Sequence, residues 1–156
     1  MSQPELLEFV NRFQKFFCSP TEEVARDLYH IPCIVMDRRS IIPINSDRDI
    51  VEFYKNLISD IAGDSSLACK CSIISLNNLS ETLVKLSVNV QVSYDADRCL
   101  VAMLVTFSCI KIKDHWYITV MEIENREMPA CLELDVRSKN EELARLSEKI
   151  KSRNAA

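Results

Sequence analysis

A chain of 156 residues in which 47% are apolar is long enough to bury one hydrophobic core without disulfide or metal staples. Residues 1–136 carry 13 basic against 20 acidic side chains, a net charge of −7, whereas residues 137–156 carry 6 against 3, a net of +3. An acidic body excludes a nucleic-acid surface, which needs a clustered basic face, and the interleaved acids of the basic tail describe a solvated helix face. No stretch approaches the roughly 18 uncharged residues of a membrane span, and the Met1–Leu7 start lacks the basic-then-apolar order of a secretory signal, so a cytoplasmic protein that binds no membrane is expected.

The first three helices are announced by their caps. Ser2 with Glu5, Ser19 with Glu22 and Pro20, and Ser46 with Asp49 each pair a side-chain oxygen for orphan amides with an acid for the positive helix end. Helix one is expected over residues 3–18, with Leu6, Val10, Phe13 and Phe17 on one stripe and Leu7 and Phe9 beside it. Helix two is expected from Pro20 to about Tyr29, because the Ile31-Pro32 pair resists its continuation. Cys33–Asp37 and Ser40–Ile44 read as a hairpin around Arg38-Arg39. Helix three, Asp47 to about Ala62, aligns Ile50, Tyr54, Leu57, Ile58 and Ile61, and ends on Gly63, the single glycine of the chain.

The second half alternates with a period of two. Ala68–Leu76 does so loosely. In Val84–Tyr94 the residues Val84, Leu86, Val88, Val90, Val92 and Tyr94 oppose Lys85, Ser87, Asn89, Gln91 and Ser93, the pattern of a strand buried on one face. In Cys99–Ile112, Val101, Met103, Val105 and Phe107 oppose Leu100, Ala102, Leu104 and Ile110, so both faces are apolar and each requires a cover. After Lys113-Asp114-His115, the strand Trp116–Glu124 sets Trp116, Ile118 and Val120 against Tyr117, Thr119, Met121 and Ile123. Beyond Glu127-Met128-Pro129, Cys131–Val136 reads as a short edge strand. Ser138 with Glu141 opens a helix at about 139–151 whose thin stripe is Leu143, Leu146 and Ile150.

This order of elements, together with the aromatic first helix (Phe9, Phe13, Phe16, Phe17), the Leu28-Tyr29-His30-Ile31-Pro32 exit, the Ser46–Tyr54 start of helix three and Asp114-His115-Trp116-Tyr117-Ile118, resembles the nuclear transport factor 2-like superfamily over residues 4–124. The likeness includes the SnoaL-like and ketosteroid-isomerase-like cone folds. It implies an α+β fold in which three helices pack inside a curved, mostly antiparallel sheet. A domain at 1–128 is followed by a helical extension at 129–156. The resemblance also implies a homodimer through the outer sheet face, with Leu100, Leu104 and Ile110 as interface residues, and a pocket lined by Phe13, Phe17, Tyr54, Met103, Phe107 and Trp116.

In catalytic members of that superfamily an acid-base aspartate commonly precedes a proline at the start of the first strand, and this chain has Ile31 there. His30, Asp37 and Tyr54 are the remaining polar candidates. The oxyanion-hole positions fall on Phe13 or Phe17 and on Met103 or Val105, none of which donates a proton. Seven cysteines, odd in number and mostly within apolar strands, read as free packed thiols in a reducing compartment. Cys69-Lys70-Cys71 without a second pair makes no zinc site, and a single glycine rules out a phosphate loop; no cofactor or metal is expected. The expected function is a non-catalytic dimeric module whose apolar pocket takes a small hydrophobic ligand. The alternatives are a SnoaL-like isomerase or lyase acting on a cyclic or polyketide-like substrate, and an adaptor that binds another protein through the sheet or the C-terminal helix.

Overall fold

The computed structural model describes residues 1–63, 67–93, 99–125 and 144–148, and for Ala62, Cys99, Leu100 and Asn125 it describes the backbone only. Three helices, α1 (Gln3–Cys18), α2 (Glu22–Leu28) and α3 (Asp47–Ala62), pack on a six-stranded sheet of β1 (Tyr29–Met36), β2 (Ile41–Ile44), β3 (Ala68–Asn78), β4 (Leu83–Ser93), β5 (Cys99–Ile112) and β6 (His115–Asn125). The strand order is β2-β1-β6-β5-β4-β3, antiparallel throughout except where β1 lies parallel to β6. This is the α+β architecture expected from the alternation of periods.

The capping oxygens accept orphan amides as expected, with one displacement. Ser2 Oγ accepts the Glu5 N–H, and Glu5 returns a carboxylate oxygen to the Ser2 N–H at 2.7 Å. That bond, aided by Lys111, holds the Glu5 carboxyl down at about 2. Ser46 Oγ accepts the Asp49 N–H at 3.1 Å, while the Asp49 carboxylate reaches past the cap to the Asn45 N–H. The second helix starts later than Ser19-Pro20 predicts: Thr21 is its cap, accepting the Val24 N–H, and the strand that follows begins at Tyr29 rather than Cys33. Ile31-Pro32 is a cis peptide within β1, and Gly63 closes α3 at φ +60°, where a side chain would be strained.

A second correction concerns β6. Ile118 pairs with Cys109 but Val120 pairs with Ser108, and β1 shifts register opposite the same place, between Tyr29 and Ile34. One extra residue in the strand reverses which way its side chains point. Trp116 and Ile118 therefore share the buried face with Met121 and Ile123, while Val120 is left half-buried, contrary to strict alternation. Similar single-residue shifts occur in β3 at Ile74 and near the end of β6, opposite Leu104 and Val105. Strand β4 follows its sequence pattern: Val84, Leu86, Val88, Val90 and Val92 are all buried.

The expected edge strand Cys131–Val136, the Ser138–Glu141 cap and the stripe residues Leu143 and Ile150 lie outside the described residues, as do Tyr94 and the side chain of Leu100. Residues 144–148 are helical and exposed, Leu146 among them. No described helix is long and apolar enough to cross a membrane.

Candidate functional site

The interior of the sheet is built from aromatic rings. Leu6, Phe9, Val10, Phe13, Phe16 and Phe17 present one buried face of α1, because positions three and four apart share a side of a helix. Phe13 meets Phe107 of β5 edge-on at 4.7 Å between ring centres and Tyr54 of α3 at 6.3 Å, and Phe16 meets Tyr54 at 4.8 Å. These are the tilted contacts that ring quadrupoles favour. The six residues expected to line a pocket, Phe13, Phe17, Tyr54, Met103, Phe107 and Trp116, all reach this interior, and none exposes more than 3% of its surface. All six belong to one continuous buried cluster.

Polar groups lie inside as well, the Trp116 indole N–H and the Tyr29–Tyr54 hydroxyl pair among them. Tyr29 and Tyr54 share a hydroxyl–hydroxyl bond at 2.5 Å, and both hydroxyls face the Met121 sulfur, Tyr54 at 2.9 Å and Tyr29 at 3.8 Å. Burial pushes both phenols above their ordinary value, and each stays neutral. Tyr29 is not among the candidates that the sequence offers. Its one signal is the residue type itself: a tyrosine opening a strand directly after a helix end. Its partner on α3 cannot be chosen without the fold.

The other two acid-base candidates stand elsewhere. His30 is exposed on the opposite face of β1 from Tyr29, with its ring 6.1 Å from that of Tyr117. Asp37 sits at the hairpin tip, where one carboxylate oxygen accepts the Arg39 N–H at 2.8 Å, the Ser40 N–H at 2.9 Å and the Ser40 hydroxyl at 3.2 Å, organising the turn. Seven residues of strand separate His30 from Asp37, roughly 20 Å of chain. Histidine, aspartate and tyrosine therefore do not converge.

Two further polar places stand out, one of which contains the expected candidate Asp37. An open cleft of about 320 Å³ lies where the hairpin tip meets the end of β6, lined by Met36, Asp37, Arg38, Glu122, Ile123 and Glu124. At the other end of β6, His115 Nε2 lies 2.7 Å from the Asp27 carbonyl and 3.0 Å from Arg12 Nη1. Arg12 donates to the same carbonyl at 3.2 Å, pinning the ends of α1, α2 and β6 together, and its guanidinium lies over the Phe9 ring. Both depend on side chains brought together from distant segments, which no local motif announces. No group of three or more His, Cys, Asp or Glu side chains among the described residues could hold a metal ion.

The expected interface residues are mixed. Leu104 and Ile110 are half-buried on the outer face of β5. The register extends that face into a stripe, Leu83 beside Ile110, Ile110 beside Tyr117, and Val120 beside Ile34, with Leu83 and Ile34 about 40% exposed.

No family model matches the sequence, and no curated protein matches it either. The fold has clear counterparts among solved structures. A protein of unknown function with a cystatin-like fold from Nostoc punctiforme superposes with a TM-score of 0.63 at 14% identity, covering 81% of this chain and 93% of that one. A nuclear transport factor 2-like protein of unknown function from Shewanella oneidensis gives 0.62 at 14% identity, covering 80% and 100%. Another nuclear transport factor 2-like protein, from Cytophaga hutchinsonii, gives 0.56 at 11% identity over 80% and 98%. The chain has the nuclear transport factor 2-like cone fold.

Proposed function

We propose that this cone-fold chain is a non-catalytic homodimeric module: its interior is closed by its own aromatic side chains and its outer sheet face meets a second copy. The observation that carries the reading is the separation of the acid-base candidates. Tyr54 is spent on Tyr29 and Met121 in a dry core, His30 faces outward, and Asp37 is spent on its own turn. General acid-base catalysis needs such groups within hydrogen-bond reach of one substrate.

Support for the dimer is the outer stripe of Ile34, Val120, Tyr117, Ile110 and Leu83, with Leu104 farther along β5. A contiguous apolar strip on a sheet is the kind of surface that a self-complementary twofold contact covers. A small hydrophobic ligand enters this reading only by displacing rings such as Phe13 and Phe17 from the core.

Native mass spectrometry and sedimentation of the freshly purified full chain test the reading together. A dimer without a retained small molecule is expected, and Ile34→Glu and Leu104→Glu are each expected to give folded monomer. A wild-type monomer at micromolar concentration overturns the dimer. A co-purifying apolar molecule overturns the closed interior, and turnover of a cyclic ketone lost in Tyr54→Phe restores the isomerase reading.

A further inference from the structure

The end of α1 and the edge strand β3 bring three thiols to one place. Gln14 and Cys18 stand one turn apart on α1, and Gln14 Oε1 accepts the backbone N–H of Cys71 at 3.2 Å. Four helical residues advance about 6 Å and two strand residues about 7 Å. With Gln14 pinned to Cys71, the Cys18 side chain falls about two strand residues from Cys71, and of the two same-face positions at that spacing only Cys69 is a thiol. The Cys18, Cys69 and Cys71 thiols lie close enough to shift one another's titration, Cys69 feeling both Cys71 and Cys18. Cys18 is exposed, whereas Cys69 and Cys71 are half-buried against the core. Gln14 already caps one donor of the unpaired sheet edge. A covalent bond one turn later would close that edge onto the helix.

We propose that Cys18 and Cys69 form a disulfide when the protein meets a low-molecular-weight disulfide such as oxidised glutathione, stapling the end of α1 to the edge of the sheet. Cys18 starts the exchange because it is the exposed thiol of the pair. Its thiolate attacks one sulfur of the small disulfide, forming a mixed disulfide and releasing the first small thiol. Cys69, giving its proton to solvent, then attacks the Cys18 sulfur and expels the second. Two protein thiols are oxidised and one small disulfide is reduced to two thiols, so atoms and electrons balance.

Although the Cys18 residue is open to solvent, the protein packed around its sulfur partly desolvates the thiol and holds it above its ordinary value, and the position at a helix C-terminus works in the same direction. The exchange is therefore slow at neutral pH, and raising the pH by one unit speeds it by up to about tenfold. This slowness separates the pair from a peroxide-sensing thiol, which needs a lowered value.

A tryptic map tests the pairing directly, because cleavage at Lys15, Arg26, Lys55, Lys70 and Lys85 places Cys18 in 16–26, Cys69 in 56–70 and Cys71 in 71–85. The full chain is incubated with oxidised glutathione at pH 8.5, blocked with an alkylating agent under denaturing conditions and digested. The expected major product links 16–26 to 56–70, persists in Cys71→Ser and is lost in Cys18→Ser and Cys69→Ser. Linkage of 16–26 to 71–85 in the wild-type chain overturns the pairing. Glutathione retained on 16–26 as the end product, or a different cysteine pair as the major link, overturns the staple. The wild-type map distinguishes all of these outcomes even if a variant folds poorly.

Discussion

The two faces of one sheet differ in what they ask of their residues. On the inner face, rings from α1, α3 and β5 interlock around Phe13 and Tyr54, and a change of one side chain is felt by all its neighbours. On the outer face, polar and apolar side chains alternate in rows, Ser87 bonding Thr106 at 3.0 Å and Lys85 lying 4.0 Å from Glu122, between half-exposed Ile34, Leu83 and Ile110. The inner face carries stability and tolerates little. The outer face mixes buried Ala102 and Thr106 with half-exposed apolar and charged side chains. The same strands serve both, because successive residues point to opposite sides.

The sharpest way to break this division is Phe13→Ala. The ring touches Phe17, Tyr54 and Phe107 and is 1% exposed, so its removal leaves a cavity that a close-packed interior cannot fully close. A loss of about 3–5 kcal/mol in urea unfolding is expected. A loss below about 1 kcal/mol would mean that the ring lines open space, and the interior would again be a ligand pocket.

Next in size is the response to alkali. Burial pushes the Cys33 and Cys109 thiols up to about 12 from an ordinary value of 9.0. The unfolded chain then loses these protons before the folded one does. Stability is unaffected below about pH 9 and falls as the pH climbs from 9 toward 12. The urea midpoint measured at successive pH values should follow that course. A midpoint constant from pH 9 to 11 would show thiols in contact with solvent and a looser inner face.

Smaller still is Tyr54→Phe, which keeps the ring and removes the hydroxyl between Tyr29 and the Met121 sulfur. Tyr29 then retains only its longer 3.8 Å contact with that sulfur, so a loss of about 1–2 kcal/mol is expected. The double variant with Tyr29→Phe should cost less than the sum of the singles, since it leaves no hydroxyl orphaned.

What the sequence discloses follows the same division. Helices α1 and α3 and strand β5 fall on their expected bounds, because caps and unbroken periodicity are local signals. The candidate pocket residues are legible as interior, since a buried stripe repeats. Strand β6 departs from its expected pattern after Ile118, where a one-residue shift in pairing changes the parity and the pattern carries no mark of it. The start of the second helix is ambiguous in sequence because Ser19-Pro20 and Thr21 both offer a cap, and only the packing of the chain after α1 selects Thr21. Partnerships across the fold, Tyr29 with Tyr54, Arg12 with Asp27, Gln14 with Cys71, are beyond periodicity altogether, because each joins segments that only the tertiary fold brings together.

The smallest expected effect belongs to His30→Ala and tests the division from the outer side. His30 opens the outward series of β1, and its ring neighbour among the described residues is Tyr117, itself half-buried and tilted against His115 at 4.6 Å. An exposed side chain with a single edge contact contributes little, so a change in unfolding free energy within about 0.5 kcal/mol is expected. The proposed dimer should be unaffected, because Ile34 and Val120 rather than His30 form the adjoining apolar row. A loss above about 2 kcal/mol would place His30 in the structural scaffold and erase the contrast between the faces. Dissociation to monomer with stability intact would instead put the histidine at the centre of the contact, moving the dimer seam along β1 toward the His30–Tyr117 pair.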